Sequence, residues 1–214
     1  MRACLLRKGY QISRNKVRKL MFRMGLEAIY CKPRLSVAHP DHKIYPYLLR
    51  NLEIQEVNQV WATDITYVKM KNGWGYLTAI LDWYSRYVLA WELSNSLDTE
   101  FCVRCLEKAL TVDKPQIFNT DQGCQFTSKE FTQVLKDNGI QISMDGRGRC
   151  MDNIFTERLW RSVKYEEIYI NDYYNIKEGK AKLGDYFYKY NYLRPHQSLN
   201  YNMPVEVHFN TKIN

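Results

Sequence analysis

Three runs rich in β-branched and aromatic residues, 59–70, 74–82 and 87–93, follow one another with only short breaks, and this spacing constrains the fold more than any other feature. Val, Ile, Thr, Tyr and Trp at such density fit a pleated, half-buried surface. Lys71-Asn72-Gly73 separates the first two runs, and Asn-Gly accepts the positive φ of a type I′ hairpin turn. An antiparallel meander is therefore expected first. The pattern then changes period. Asp98 or Thr99 can cap a helix reaching Leu110, with Phe101, Cys105, Leu106 and Ala109 on one face. The short apolar run 116–119 reads as a buried parallel strand. Thr127 or Ser128 opens a helix with Phe131, Val134 and Leu135 inward, Gly139 closes it, and 140–143 supplies a fifth strand. Three antiparallel strands followed by alternating helices and strands predict an α/β fold, a mixed five-stranded sheet with helices on both faces.

Beyond Ser143 the segment MDGRGRCMDN reads as a loop, leading into a helix capped by Asp152 or Asn153 that continues to about Tyr165. A tyrosine-rich helix over 176–191 precedes the tail YLRPHQSLNYNMPVEV. Trp61, Trp74, Trp83, Trp91 and Trp160 are read as core residues rather than stacking platforms. No apolar run approaches the roughly 20 residues of a membrane span, and no apolar stretch of signal-peptide type follows Met1. The six cysteines are accordingly expected as reduced thiols of a cytoplasmic protein.

The formal net charge of +8 is unevenly placed. Residues 1–50 hold 12 Lys/Arg against 2 Asp/Glu, a net of +10, which leaves 19 against 21, a net of −2, for the remainder. A basic block of this kind suits a polyanion, and phosphate attraction of that sort needs no sequence readout. Ser13 can cap a helix in which Val17, Leu20, Met21 and Met24 share a face, while Arg14, Lys16, Arg18, Lys19 and Arg23 occupy the others and Gly25 is placed to end it. Ala3 to Leu6, followed by Gly9, reads as the end of a preceding helix, so residues 1–30 form a basic, partly helix-turn-helix-like segment. Residues 31–58, with Pro33, Pro40 and Pro46, read as a linker.

Three acids carry the candidate chemistry. Asp64 lies in the strand-like WATDITYVKM, Asp121 follows a short apolar strand in NTDQG, and Glu157 sits in the helical DNIFTERLWRSVK. Carboxylates from two strands and a helix can converge at one sheet edge, where they would repel strongly unless a cation joined them. Oxygen-only ligation selects Mg²⁺ or Mn²⁺ over zinc. Two such ions about 3.5–4 Å apart can activate an attacking hydroxyl and stabilise the leaving oxygen of an in-line phosphoryl displacement. On the helix, Glu157, Arg161 and Lys164 fall at i, i+4 and i+7, so one face presents a metal ligand and two cations for DNA phosphates. Arg147 and Arg149, spaced by glycines, are further DNA-gripping candidates. Asp82, Asp145 and Asp152 are rival acids better explained as a strand end, a turn and a cap. Zinc at Cys102-x-x-Cys105 with His39 and His42 is disfavoured, since the cysteines fall in a core-facing helix and the histidines in a proline-rich stretch. His196 in RPHQ is read as structural or DNA-contacting.

Thirty-five residues separate Asp121 from Glu157 and fifty-six separate Asp64 from Asp121. This spacing, with WATDIT, NTDQG, DNIFTERLWRSVKYE and the terminal RPHQSLNY and MPVEV, closely resembles the DDE integrase core of IS3-family insertion-sequence transposases. The resemblance runs from about Gln59 to Val207 and implies a ribonuclease H-like fold over a core of 59–208, leaving 209–214 as a tail. It implies Asp64, Asp121 and Glu157 as the catalytic triad, and Lys164 as the basic residue seven positions after the family's glutamate. It further implies DNA as partner, both the element's terminal repeats and target DNA, and a homo-oligomer assembled on it. Because the family's upstream helix-turn-helix and leucine zipper have no counterpart here, the chain showing neither heptads nor a complete helix pair, it is expected to be a downstream reading frame or a truncated copy, with an upstream-frame fusion partner. The alternative function is a catalytically inactive DNA-binding remnant or regulator of transposition.

Overall fold

The computed structural model describes residues 1–24, 43–146 and 153–211, which fall into two compact units, Met1–Ala38 and His39–Asn214. In the first unit, α1 (Arg2–Arg7) and α2 (Arg14–Arg23) flank a turn in which Gly9 has φ +85°. Ser13 caps α2 as expected, its Oγ accepting from the Lys16 N–H at 3.3 Å. The apolar face foreseen for α2 is only partly covered. Val17 is buried, whereas Leu20 and Met24 are exposed. Gly25, the expected end of this helix, lies outside the described residues.

The second unit is built on one sheet. β1 (Val60–Met70), β2 (Gly73–Asp82) and β3 (Val88–Ser94) form the meander, and β4 (Ile117–Thr120) and β5 (Gln141–Met144) extend it on the other side in the order β3-β2-β1-β4-β5. β1 pairs antiparallel with β2 and parallel with β4, which pairs parallel with β5. The hairpin turn departs from type I′. Lys71 and Asn72 lie between the paired Met70 and Gly73, and of the three only Gly73 takes a positive φ, +128°. Positive φ is costly for a residue with a side chain, and the Lys71 N–H is held instead by the Tyr173 carbonyl at 2.8 Å.

The period-2 pattern divides the core. Trp61, Ile80 and Phe118 face α3 (Glu100–Leu110) and α4 (Lys129–Asp137), meeting Phe101, Leu106, Phe131 and Leu135. Val68, Leu77, Ala79 and Leu81 face α5 (Ile154–Val163) and α6 (Ile176–Tyr192), meeting Leu159, Trp160, Leu183 and Phe187. Asp98 and Ser128 supply the side-chain caps of α3 and α4, accepting from Phe101 and Phe131 N–H groups, and Gly139 ends α4 at φ +69°. After α5 the chain does not stop near Tyr165. Lys164–Ile168 form a π-helical turn, in which the Tyr169 N–H donates to the Lys164 carbonyl at 2.8 Å. The tail forms a 3₁₀ turn at Gln197–Leu199 and α7 (Pro204–Phe209), which begins with proline at a position where its missing N–H costs nothing. Trp74 is the tryptophan that leaves the core. It is 57 % exposed and meets Tyr67 edge-on at 6.2 Å between ring centroids.

Candidate active site

The last parallel pair between β1 and β4 is Ala62 with Asn119. Asp64 lies two residues beyond Ala62 and Asp121 two beyond Asn119, so the two acids leave the ladder at one level, where β4 ends and β1 continues. Alternation along β1 puts Asp64 on the face of Val68 and Met70, the face covered by α5 and α6. There its Oδ2 accepts from the Trp160 indole N–H at 3.1 Å, and its Oδ1 from the Ile65 N–H at 2.7 Å. Trp160 lies three residues beyond Glu157, so the bond that ties α5 to β1 also brings Glu157 toward the two aspartates.

Asp64 feels the charges of the other two acids. The Asp64 carboxyl is raised to about 6, chiefly by burial and further by the negative charges of Asp121 and Glu157, while the Ile65 and Trp160 hydrogen bonds oppose the shift. Asp121 reaches the surface, yet the protein around it also raises its pKa, against the pull of the Gly123 N–H, which donates to Oδ1 at 2.9 Å. A Cβ on residue 123 would stand 2.9 Å from that same oxygen, so glycine is what lets the turn close around the carboxylate. Glu157 is exposed in the first turn of α5. No three His, Cys, Asp or Glu side chains among the described residues are already gathered at metal-binding range. The charges of Asp121 and Glu157 reach Asp64 without the three acids having converged.

Glu157 opens onto a groove of about 560 Å³ that it lines with Arg158, Arg161 and Tyr165 among others. Arg161 is thus beside Glu157 as its spacing implied. Lys164 begins the π-helical turn, is half-buried, and does not line the groove. Arg158, which the i, i+4, i+7 count passed over, does. Arg14, Lys16, Arg18 and Lys19 are exposed on α2 of the first unit. Arg147, Arg149 and Asp152 lie outside the described residues, as do His39 and His42.

The rival acids have structural partners. Buried Asp82 accepts from the Ser85 N–H and Oγ, both at 2.7 Å, and from the Asn58 N–H. Asp145 accepts from Asn119 Nδ2 at 2.7 Å. Cys102 and Cys105 are buried on the core face of α3, and burial raises the thiol of Cys102 to about 12. The residue that sequence reasoning missed is Trp160. A buried indole N–H needs an acceptor, and its i+3 spacing from Glu157 was the signal available.

A family model described as integrase core domain matches residues 55–150, and a second of the same description matches 138–204. The transposase for insertion sequence element IS904 of Lactococcus lactis is 31% identical over 208 residues, covering 92% of this chain and 81% of that protein. Transposase InsF for insertion sequence IS3A of Escherichia coli is 30% identical over 186 residues, and the match spans 83% of this chain and 64% of InsF. Among solved structures, the HTLV-2 integrase catalytic core domain in complex with magnesium superposes with a TM-score of 0.59 at 19% identity, over 72% of this chain and 97% of that one. At that identity the likeness concerns the fold, which is ribonuclease H-like. No helix among the described residues is long and apolar enough to cross a membrane. The chain belongs to the IS3-family insertion-sequence transposases, with their integrase core domain.

Proposed function

We propose that this protein cuts and joins DNA strands at insertion-sequence ends, with Asp64, Asp121 and Glu157 as its catalytic carboxylates. The observation that carries the proposal is the reach of two other charges to Asp64. A half-buried aspartate feels two further acids, one from a neighbouring strand end and one from a helix tied to it through Trp160. Such a set is unfavourable by itself and is relieved by divalent cations. The donors are all oxygen and fit Mg²⁺ or Mn²⁺, and the similar HTLV-2 core was solved with magnesium. Asp64, Asp121 and Glu157 would hold the metal, two ions in the form best suited to phosphoryl transfer, which when bound supplies charge neutralisation and a more acidic attacking hydroxyl.

The remaining work falls to the chain's own residues. The Trp160 and Ile65 N–H groups fix both oxygens of Asp64, and the Gly123 N–H fixes Oδ1 of Asp121, so neither carboxylate must be reoriented during the reaction. Arg158 and Arg161, in the groove beside Glu157, and Lys164 beyond them hold phosphates of the bound strand. Arg147 and Arg149, in the glycine-rich sequence before α5, add to that grip, and Arg14, Lys16, Arg18 and Lys19 attract flanking DNA. Terminal-repeat and target DNA are the substrates, and a homo-oligomer formed on DNA, joined by an upstream-frame fusion partner, brings two element ends together.

The test is cleavage and strand transfer of labelled terminal-repeat duplexes in Mg²⁺ or Mn²⁺. Asp64→Asn, Asp121→Asn and Glu157→Gln should each lower both rates on the order of a thousandfold or more, as removal of one member of a concerted set does. Rates that survive all three substitutions would exclude these residues.

A further inference from the structure

On the opposite side of α5 from Glu157 lies a second hollow, of about 540 Å³, which the strand-cutting scheme leaves unused. Trp83, Arg86, Phe155, Asn200 and Asn202 are among its lining residues. Trp83 is 6 % exposed, and its indole N–H has no hydrogen-bond acceptor among the described residues. Arg86 holds φ +62°, a backbone region that a residue with a long side chain enters rarely. Its guanidinium lies 3.5 Å over the centre of the Phe155 ring and donates to the Trp83 carbonyl. Arg86, in a strained turn and partly out of water, has no carboxylate bonded to it among the described residues and can take an anionic partner.

The surroundings deepen the positive field. Half-buried His196 packs edge-on against Tyr190 with ring centroids 4.7 Å apart, and its Nε2 also lacks a partner. Burial and then the charges of Arg194, Arg86 and Arg158 hold this imidazole down at about 4. Among the described residues, Arg194 alone of the three arginines is ion-paired, to Glu166. The nearest acid on the other side, Asp82, is already occupied by Ser85 and Asn58. A guanidinium and amide donors around a cavity of this size match the tetrahedral oxygens of a phosphate.

We propose that the hollow lined by Trp83, Arg86, Asn200 and Asn202 binds a DNA backbone phosphate on the far side of α5 from Glu157. The site rests on the strand-cutting function for its DNA, but not on the triad. It would fix the register of the duplex by a contact remote from the scissile bond.

The experiment follows the Trp83 indole N–H by NMR in the metal-free full chain, its signal assigned with Trp83→Phe. Inorganic phosphate and a short terminal-repeat duplex are titrated separately into wild type, Arg86→Gln, Asn200→Gly, which keeps the left-handed backbone of that position, and Asp64→Asn. The expected result is a saturable shift of the Trp83 signal with both probes. It should be lost in Arg86→Gln, weakened in Asn200→Gly and retained in Asp64→Asn, and the log–log salt dependence of duplex binding should fall by about one in Arg86→Gln. Retention in Asp64→Asn keeps the site standing even if the carboxylates prove not to be catalytic. A shift with phosphate but not with the duplex would overturn the DNA assignment, leaving a small-anion site. No shift with either probe in folded wild type, or an unchanged shift in Arg86→Gln, would overturn the site itself.

Discussion

At the scale of one residue, the raised pKa of Asp64 sets a pH at which the fold weakens. An acid whose pKa is higher in the fold than in the unfolded chain holds its proton more tightly when folded. The metal-free protein therefore loses stability as pH rises from the ordinary value of 3.8 through about 6, and does not recover it above. Asn in place of Asp64 carries no charge, but its one oxygen can accept from only one of the Trp160 and Ile65 N–H groups, which offsets part of the gain. Asp64→Asn should accordingly stabilise the metal-free protein by about 1–2 kcal/mol near neutral pH, the gain shrinking toward zero as pH falls toward 4. Urea unfolding across that range measures it. A variant less stable than wild type at every pH would mean that Asp64 supports the fold rather than strains it.

At the scale of elements, α6 approaches the sheet through glycine. A Cβ on Gly179 would lie 2.9 Å from Leu93 Cδ2 and 3.4 Å from Met70 Cε, whereas one on Gly184 would meet only Trp91 Cζ2 at 3.7 Å. Substitutions at the two positions should therefore differ in sign. Gly179→Val should cost about 1–3 kcal/mol by overpacking, and Gly184→Ala should gain up to about 1 kcal/mol from helix propensity, both read as shifts in the denaturation midpoint. The strands and helices were legible in the sequence because their alternation and caps are local. Phe101, Leu106, Phe131 and Leu135 point inward as their spacing implies. The hairpin geometry was not, because Lys71 is held by Tyr173, a hundred residues away in the chain. Nor was the bond from Trp160 to Asp64, which spans 96 residues and exists only once α5 lies on β1. The π-helical turn after Val163 has no compositional mark. For the site, residue types and spacing named the acids, but only packing showed which donors hold them and that Arg158 shares the groove with Glu157.

At the scale of the whole molecule, charge and chemistry are divided between two units. Ten of the twelve cations in residues 1–50 precede Lys43, while the candidate carboxylates all lie in the second unit. A chain starting at Lys43 should fold and titrate Mn²⁺ as the full chain does, yet bind duplex DNA more weakly and with a salt dependence lower by several counterions. An unchanged salt slope would place the DNA-attracting surface on the second unit instead.

The central claim is that three carboxylates from β1, the end of β4 and α5 form one metal site, and calorimetric titration of Mn²⁺ into the purified protein tests it most directly. Saturable binding to the folded wild type, abolished by Asp64→Asn and equally by Asp121→Asn, is the expected result. A wild-type isotherm that neither substitution alters, or no binding to folded protein with or without DNA, would contradict a shared metal site and favour a DNA-binding remnant without catalysis.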